Sequence, residues 1–366
     1  MRLLYLYPEE WTGRRAREAH TLSTCAALAR EGVDVTLVTA GGLAEMQHHL
    51  IDVAGAEKVP GLELVALSRS LGPVRSTAVF RHYFQNWMTT QAPFNWAYII
   101  HLKAAAMLKS TRTPYAYEAH EIFSETPQKN EKRQAALFEL EKQAVTGATV
   151  RIATSVPLAA ALSETFALPN DFAIVPNAGL PPEKQIVIEA KGPFVYAGSI
   201  AGWKGIDLMI HAAREAQVPL KIVGGTAAEW KKLGRQVDVA GVEWKERVSL
   251  AELPKALAGA RAGLIPTQPE TPSGRYSCPM KIFDYARCGL PVISTALPSL
   301  QSLDLGPWCT QVLAPTPASW AEAMKSFVYD PKQAEAARAW SAEHTWTHRA
   351  ELLIGVIRVR RRTDEI

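Results

Sequence analysis

Lys281 and Asp284 stand three residues apart in Pro279-Met-Lys-Ile-Phe-Asp284, within an amphipathic segment. Residues three apart share one face of a helix. An ammonium that seeks phosphate and a carboxylate that holds hydroxyls therefore point the same way. The segment is entered from Gly274-Arg-Tyr-Ser-Cys-Pro279 and stops at Gly289-Leu-Pro291, before an apolar run over Pro291–Thr295. A helix opening from such a loop offers unbonded N–H groups and the positive end of its dipole, a combination that suits a diphosphate. Arg275 and the backbone at Ser277 and Cys278 sit at that entrance. The plainer alternative is a surface ion pair between Lys281 and Asp284.

Other loops carry related chemistry. Gly198-Ser-Ile-Ala-Gly-Trp-Lys-Gly205 lies between a strand-like and a helix-like run, so Gly198 and Ser199 can approach a ligand closely and Lys204 can meet a phosphate. Gly224-Gly225 follows Leu220–Val223 in the same way. His120 closes Tyr117-Glu-Ala-His120 and can hydrogen-bond a hydroxyl or polarise one, or serve only the structure. The loop after the first strand holds Gly13, Arg14, Arg15 and Arg17, which fit an anionic acceptor, a lipid headgroup or plain solvent. His20 reads as a helix-face packing residue as readily as a functional one.

The elements that must position these residues alternate. Leu3–Tyr7, Val33–Thr39 and Leu62–Leu67 read as strands around a helix at Thr21–Arg30; Ala78–Met107 is aromatic-rich and reads as helical, broken at Pro93. Strands at Pro114–Glu118, Val150–Ser155 and Ala173–Pro176 flank helices at 129–146 and 157–166. From Gly192 the pattern restarts, with strands expected at Pro193–Ala197, Leu220–Val223, Val237–Gly241, Ala262–Pro266 and Pro291–Thr295. Strand–helix–strand repetition predicts parallel sheets and right-handed crossovers. The expected class is α/β, with two Rossmann-like doubly wound domains at 1–182 and 183–338 and a terminal helical segment over 339–366. Ligands in such sheets bind beyond the carboxyl ends of strands, where these loops lie.

The run Ser277-Cys-Pro-Met-Lys281-Ile-Phe-Asp284-Tyr-Ala-Arg-Cys-Gly289-Leu-Pro-Val-Ile293 resembles the nucleotide-sugar segment of retaining GT-B glycosyltransferases of family four. Phe194–Thr295 carries most of the resemblance, with weaker matches at Tyr117–Glu121 and Pro176-Asn-Ala-Gly179. The resemblance implies a GT-B fold, with two domains facing across a cleft and the last helix crossing back to the first. It implies sugar transfer from a nucleoside-diphosphate sugar with retention, no cofactor and no metal. Lys204 and His120 are the implied catalytic residues. Gly198, Ser199, Lys204, Arg275, Ser277, Cys278 and Lys281 would bind the diphosphate, and Asp284, Gly224 and Gly225 the ribose and base. The loop of Gly13, Arg14 and Arg17 would serve the acceptor or the phosphate. Three departures stand out: Ser199 occupies the family's arginine position, Tyr276 an acidic one, and a single glycine replaces the Gly-Gly of the first loop. One expected cation is therefore missing, or supplied by Arg275.

Composition sets the outer limits. The chain has 366 residues, 48% hydrophobic and 21% charged, enough for two cores. Its 40 basic and 36 acidic residues leave +4, too balanced for nucleic acid. Four cysteines lack metal-site spacing and read as buried thiols. No run approaches ~18 apolar residues and no signal segment is read, which fits a cytoplasmic protein. A basic end at Arg358, Arg360, Arg361 and Arg362 allows peripheral contact with the inner face of the membrane. The expected partners are the donor and a glycan, lipid-linked or small-molecule acceptor, in the setting of a bacterial envelope. Two rival readings are a non-catalytic GT-B scaffold in envelope glycan assembly and a nucleotide-sugar epimerase. A dehydrogenase is disfavoured, since no Gly-x-Gly-x-x-Gly follows a first strand.

Overall fold

The structure, a computed structural model, describes residues 1–183 and 186–364, with side chains as far as Val359. The expected linker at 181–184 lies partly outside these residues, as do the side chains of Arg360, Arg361 and Arg362. The chain forms two compact units, Met1–Asn177 with the segment from Trp346 onward, and Ala178–Thr345. The division therefore falls at 177/178 rather than 182/183. Residues 339–343 finish a helix of the second unit, Pro331–Glu343, so the return to the first unit starts at Trp346 rather than at 339. The reason is local. The Gly179 N–H donates to the His344 carbonyl at 3.0 Å and Gly179 bridges Thr345, which holds both crossing points inside the second unit.

The first unit holds β1 (Arg2–Tyr7), β2 (Asp34–Thr39), β3 (Leu62–Ala66), a short ribbon of β4 (Ser70–Leu71) and β5 (Val74–Arg75), then β6 (Trp96–Ile99), β7 (Tyr115–Ala119), β8 (Val150–Ala153) and β9 (Ala173–Ile174). Seven strands make one parallel sheet in the order β3-β2-β1-β6-β7-β8-β9. Leu3–Tyr7 is wholly buried, as a strand covered on both faces by crossover helices must be. The stretch read as helical from Ala78 to Met107 is corrected here. It divides into a helix Thr77–Thr89, the buried strand β6 and a helix Leu102–Leu108. A short apolar run has no period that separates strand from helix, and the β-favouring Trp96-Ala-Tyr-Ile99 pairs beside β1. The final helix, Trp346–Asp364, packs on the helix Ala16–Arg30 and buries Ala350, Leu353 and Ile357.

The second unit repeats the plan with β10 (Phe194–Ala197), β11 (Leu220–Val223), β12 (Val242–Lys245), β13 (Ala262–Ile265), β14 (Val292–Thr295) and β15 (Cys309–Val312). They lie parallel in the order β12-β11-β10-β13-β14-β15. The strand expected at Val237–Gly241 is instead a turn, and β12 begins five residues further on, at Val242. Val237 is buried beneath the helix Ala227–Leu233, so its apolar character reflects packing rather than pairing. In each sheet the strand order reverses beside the first strand, which opens a crevice at the carboxyl ends. Among the described residues no helix is long and apolar enough to cross a membrane.

Candidate active site

In the second unit three strand-end loops meet. Gly198 follows β10 with φ +154°, and its N–H donates to the Val223 carbonyl at 2.9 Å. A Cβ on Gly224 would lie 2.0 Å from the Gly198 carbonyl oxygen, and one on Gly225 would lie 2.6 Å from Ile200 Cδ1. Only glycine permits this approach. Ser199 Oγ receives Lys204 Nζ at 2.5 Å, and the Ser199 carbonyl accepts from Tyr196 Oη at 3.0 Å.

The helix Met280–Arg287 delivers Lys281 to the same loops. Tyr285 locks it in place, its Oη accepting the Ala197 N–H at 2.8 Å at the end of β10. Lys281 Nζ lies 5.0 Å from the centre of the Tyr196 ring, and a Cβ on Gly198 would stand 2.7 Å from Lys281 Cε. Burial first, then the charge of Lys204, lowers the Lys281 ammonium to about 7, against a smaller opposing pull from Asp284. Lys204 is lowered too, by burial and then by Arg247. Asp284 is raised by burial, with Arg287 Nε 4.0 Å away and opposing. Two cations with weakened charge beside a half-buried carboxyl make a site poised for an anion carrying hydroxyls.

Gly198, Ser199, Lys204, Gly224, Gly225 and Lys281 are thus gathered around one group of loops, with Asp284 one helical turn behind Lys281. At the helix entrance, Ser277 gives its carbonyl to Ser299 Oγ at 2.8 Å and the Cys278 thiol is buried, which leaves backbone rather than side chain to face a ligand. Arg275 is exposed and lies over the Tyr276 ring at 4.9 Å, donating to its Oη at 3.1 Å.

In the first unit His120 follows β7, two residues after Glu118. Glu118 is fully buried and accepts from Arg349 and from Tyr98 Oη. His120 Nε2 lies 2.9 Å from Glu118 Oε1, though not aligned as a hydrogen bond. His20 is 2% exposed, meets His120 edge-on at 4.5 Å and Trp346 at 5.3 Å, and sits 3.2 Å from Glu118. Burial pushes His20 down to about 3 against the pull of Glu118, so this ring is neutral at ordinary pH. Burial alone would raise Glu118. Arg349 first, then His20 and His120, outweigh it and hold the carboxyl well below its usual range. His20, Glu118 and His120 are the described residues whose ligand atoms come close enough to hold a metal, within 4.8 Å. Arg349 already neutralises Glu118, so a metal ion there would face a fixed guanidinium.

The first loop is filled from within. The buried Glu18 carboxylate accepts from the N–H groups of Thr12 at 2.9 Å, Arg14 at 2.9 Å and Arg15 at 3.1 Å. Gly13 turns between them at φ +68°. A cradle of N–H groups that suits an anion thus already encloses one. Glu9 gathers Arg15 at 3.0 Å, Arg17 at 3.9 Å and His101 at 3.0 Å. The His101 hydrogen bond first, against burial, and then these charges lower Glu9 to about 2. The side chain of Arg17 is therefore partnered by protein, and the N–H of Arg14 serves Glu18. Glu18, Glu118, Arg349 and Arg247 were not singled out from sequence for such roles.

Two Rossmann-like sheets of matching strand order, with glycine loops and lysines at the carboxyl ends of the second, define the GT-B class of fold. The segment 17–178 matches the "glycosyl transferase 4-like domain" family model, and 206–355 the "glycosyl transferase-like" model. The chain belongs to the GT-B glycosyltransferases of this family-four type. No curated protein matches it in sequence. Solved structures similar to it include HepE from Anabaena in complex with UDP, at 15% identity over 98% of this chain and 100% of that one, with a TM-score of 0.69. The lipopolysaccharide outer core galactosyltransferase WaaB is 12% identical over 98% and 100%, TM-score 0.68. WaaG, a glycosyltransferase involved in lipopolysaccharide biosynthesis, is 16% identical over 97% and 99%, TM-score 0.69.

Proposed function

We propose that this glycosyltransferase moves a sugar from a nucleoside-diphosphate sugar to a glycan, lipid-linked or small-molecule acceptor, with retention and without a bound metal or cofactor. The observation that supports this most is the pairing of Lys204 and Lys281 at the glycine loops, where burial weakens both charges, aided at Lys281 by Lys204 and at Lys204 by Arg247, until an anion arrives. In this reading the two lysines and the first turn of the helix Met280–Arg287 neutralise the diphosphate as it leaves. Asp284 holds the ribose, Gly224 and Gly225 let the nucleotide lie against backbone, and His120 contacts the donor sugar or the acceptor. Lys204 acts in catalysis because it meets charge that develops only as the glycosidic bond breaks. The acceptor loop is that of Gly13, Arg14 and Arg17, with its backbone donors held by Glu18. A cytoplasmic setting in bacterial envelope synthesis, with peripheral membrane contact through the basic C-terminal helix, completes the reading.

UDP-sugars are the first donors to try, because HepE has been solved with UDP and with UDP-glucose. The test is a thermal-shift screen of UDP-, GDP-, ADP- and dTDP-sugars against the wild type and a Lys204→Ala, Asp284→Ala double variant. Ligand that binds only the native state raises its melting temperature. A shift with one nucleotide class, lost in the double variant, supports the reading. No shift with any donor in a folded protein would favour the non-catalytic scaffold.

A further inference from the structure

The helix Met280–Arg287 carries a second cation one turn beyond Asp284. Arg287 is 4% exposed, and both ends of the residue are tied down. Its Nη2 donates to the Leu250 carbonyl at 3.0 Å, and its own carbonyl accepts the Glu183 N–H at 2.7 Å. Its Nε has no hydrogen-bond partner and lies 4.0 Å from Asp284 Oδ1. Among the described residues no other carboxylate is within ion-pair distance of Arg287. A buried guanidinium needs a counter-charge, and Asp284, with its side chain 21% exposed, is the group that supplies it. Asp284 thus has a fixed cation on the buried side and an open edge on the other.

We propose that Arg287 is a positioning residue for Asp284, holding the carboxylate charged and aimed at the ribose hydroxyls, and so sets the preference for ribose over deoxyribose. The proposal rests on the reading of Asp284 given above and adds to it the residue that prepares Asp284 for the task. An ionised carboxylate accepts from two hydroxyls, whereas a protonated one turns one oxygen into a donor. Burial favours the protonated form of Asp284; Arg287 first, then Lys281, oppose it. Lys281 is the weaker support of the two. Its own charge is reduced by burial and by Lys204, and a bound diphosphate draws on the same ammonium. Arg287 stays charged at every working pH, and its bond to Leu250 keeps it from swinging towards the phosphates.

The experiment is calorimetric titration of wild type, Arg287→Met and Arg287→Lys with UDP and with its analogue lacking both ribose hydroxyls, melting temperatures being recorded for each protein. If the wild type prefers another base, the corresponding pair of diphosphates takes their place. Wild type should bind the ribose form about tenfold more tightly, as hydrogen bonds to a charged group require. In Arg287→Met that ratio should fall towards one, because the ribose form weakens while the analogue binds as before. Arg287→Lys should show an intermediate ratio, since one ammonium cannot hold Leu250 and face Asp284 together. On an Asp284→Asn background the ratio is already lost, and Arg287→Met should leave it unchanged. The inference fails if Arg287→Met keeps the wild-type ratio; equal weakening of both ligands would mean that the helix and not the carboxylate was disturbed. If the methionine variant does not fold, Arg287→Lys decides, and a wild-type ratio there overturns the inference. A wild type that binds both forms equally overturns the ribose reading of Asp284 itself, a result separate from an indifferent Arg287→Met.

Discussion

Arg349, on the final helix, donates to the carboxylate of Glu118, two residues before His120. Both groups are buried, at 3% and 0% exposure. The same guanidinium donates to the Pro176 carbonyl at 2.9 Å and to Thr24 Oγ1 at 3.2 Å. One side chain therefore ties the returning helix to the end of β7, to the helix Ala16–Arg30 and to the last residues before the chain leaves the unit.

Removing one partner should cost more than removing both. Arg349→Met leaves Glu118 buried without its main counter-charge and should destabilise the protein by about 3–5 kcal/mol. In Glu118→Gln, Arg349→Met the orphaned charge is gone, so the double variant should be more stable than the sum of the single changes implies. Urea unfolding of the four proteins measures the coupling. Simple additivity would show that Glu118 has other means of compensation.

His20 predicts an acid response. Its folded pKa of about 3 lies below the ordinary 6.5, because burial opposes the charged ring. Below 6.5 the unfolded chain takes up a proton that the native state does not. Stability is therefore complete above 6.5 and falls as pH drops towards 3, by about 1.4 kcal/mol per pH unit for one proton. Glu118, held low by Arg349, adds to the loss only below the usual carboxylate range. In His20→Phe the stability slope between neutral pH and pH ~5 should be shallower than in wild type by that single proton. Equal slopes in the two proteins would mean that His20 titrates normally.

The loops were legible in the sequence where glycine and lysine types met strand ends, as at Gly198–Gly205, Gly224-Gly225 and Lys281–Asp284. Their spatial meeting follows from the parallel order β11-β10-β13, which brings the three strand ends together. Arg247 was hidden by register: with a strand expected at Val237–Gly241, Arg247 does not read as a strand-end residue. The strand β6 was hidden because a short buried aromatic run has no period of its own. Glu118 and Arg349 are 231 positions apart, and Glu18 turns back on its own loop, so neither arrangement leaves a local signal. Arg17 and Arg15 looked like open cations because sequence does not show Glu9 folding over them.

The lowered Lys281 ties donor binding to protons. With its ammonium near 7 in the ligand-free protein, much of Lys281 is neutral at mildly alkaline pH. A diphosphate placed beside it favours the charged form and raises its pKa again. Binding above pH 7 must then draw a proton from solution, and affinity should weaken as pH rises, by at most about tenfold per unit for one proton. Titrations at pH ~8 in buffers of different ionisation enthalpy read the uptake directly, as the slope of observed heat against buffer heat. Wild type should take up a fraction of a proton approaching one, and Lys281→Met none. Proton uptake that persists in Lys281→Met would assign the coupling to Lys204, whose charge is weakened by the same burial and by Arg247. Binding with no uptake in either protein would show that Lys281 is already charged before the anion arrives, and that the site is preset rather than induced.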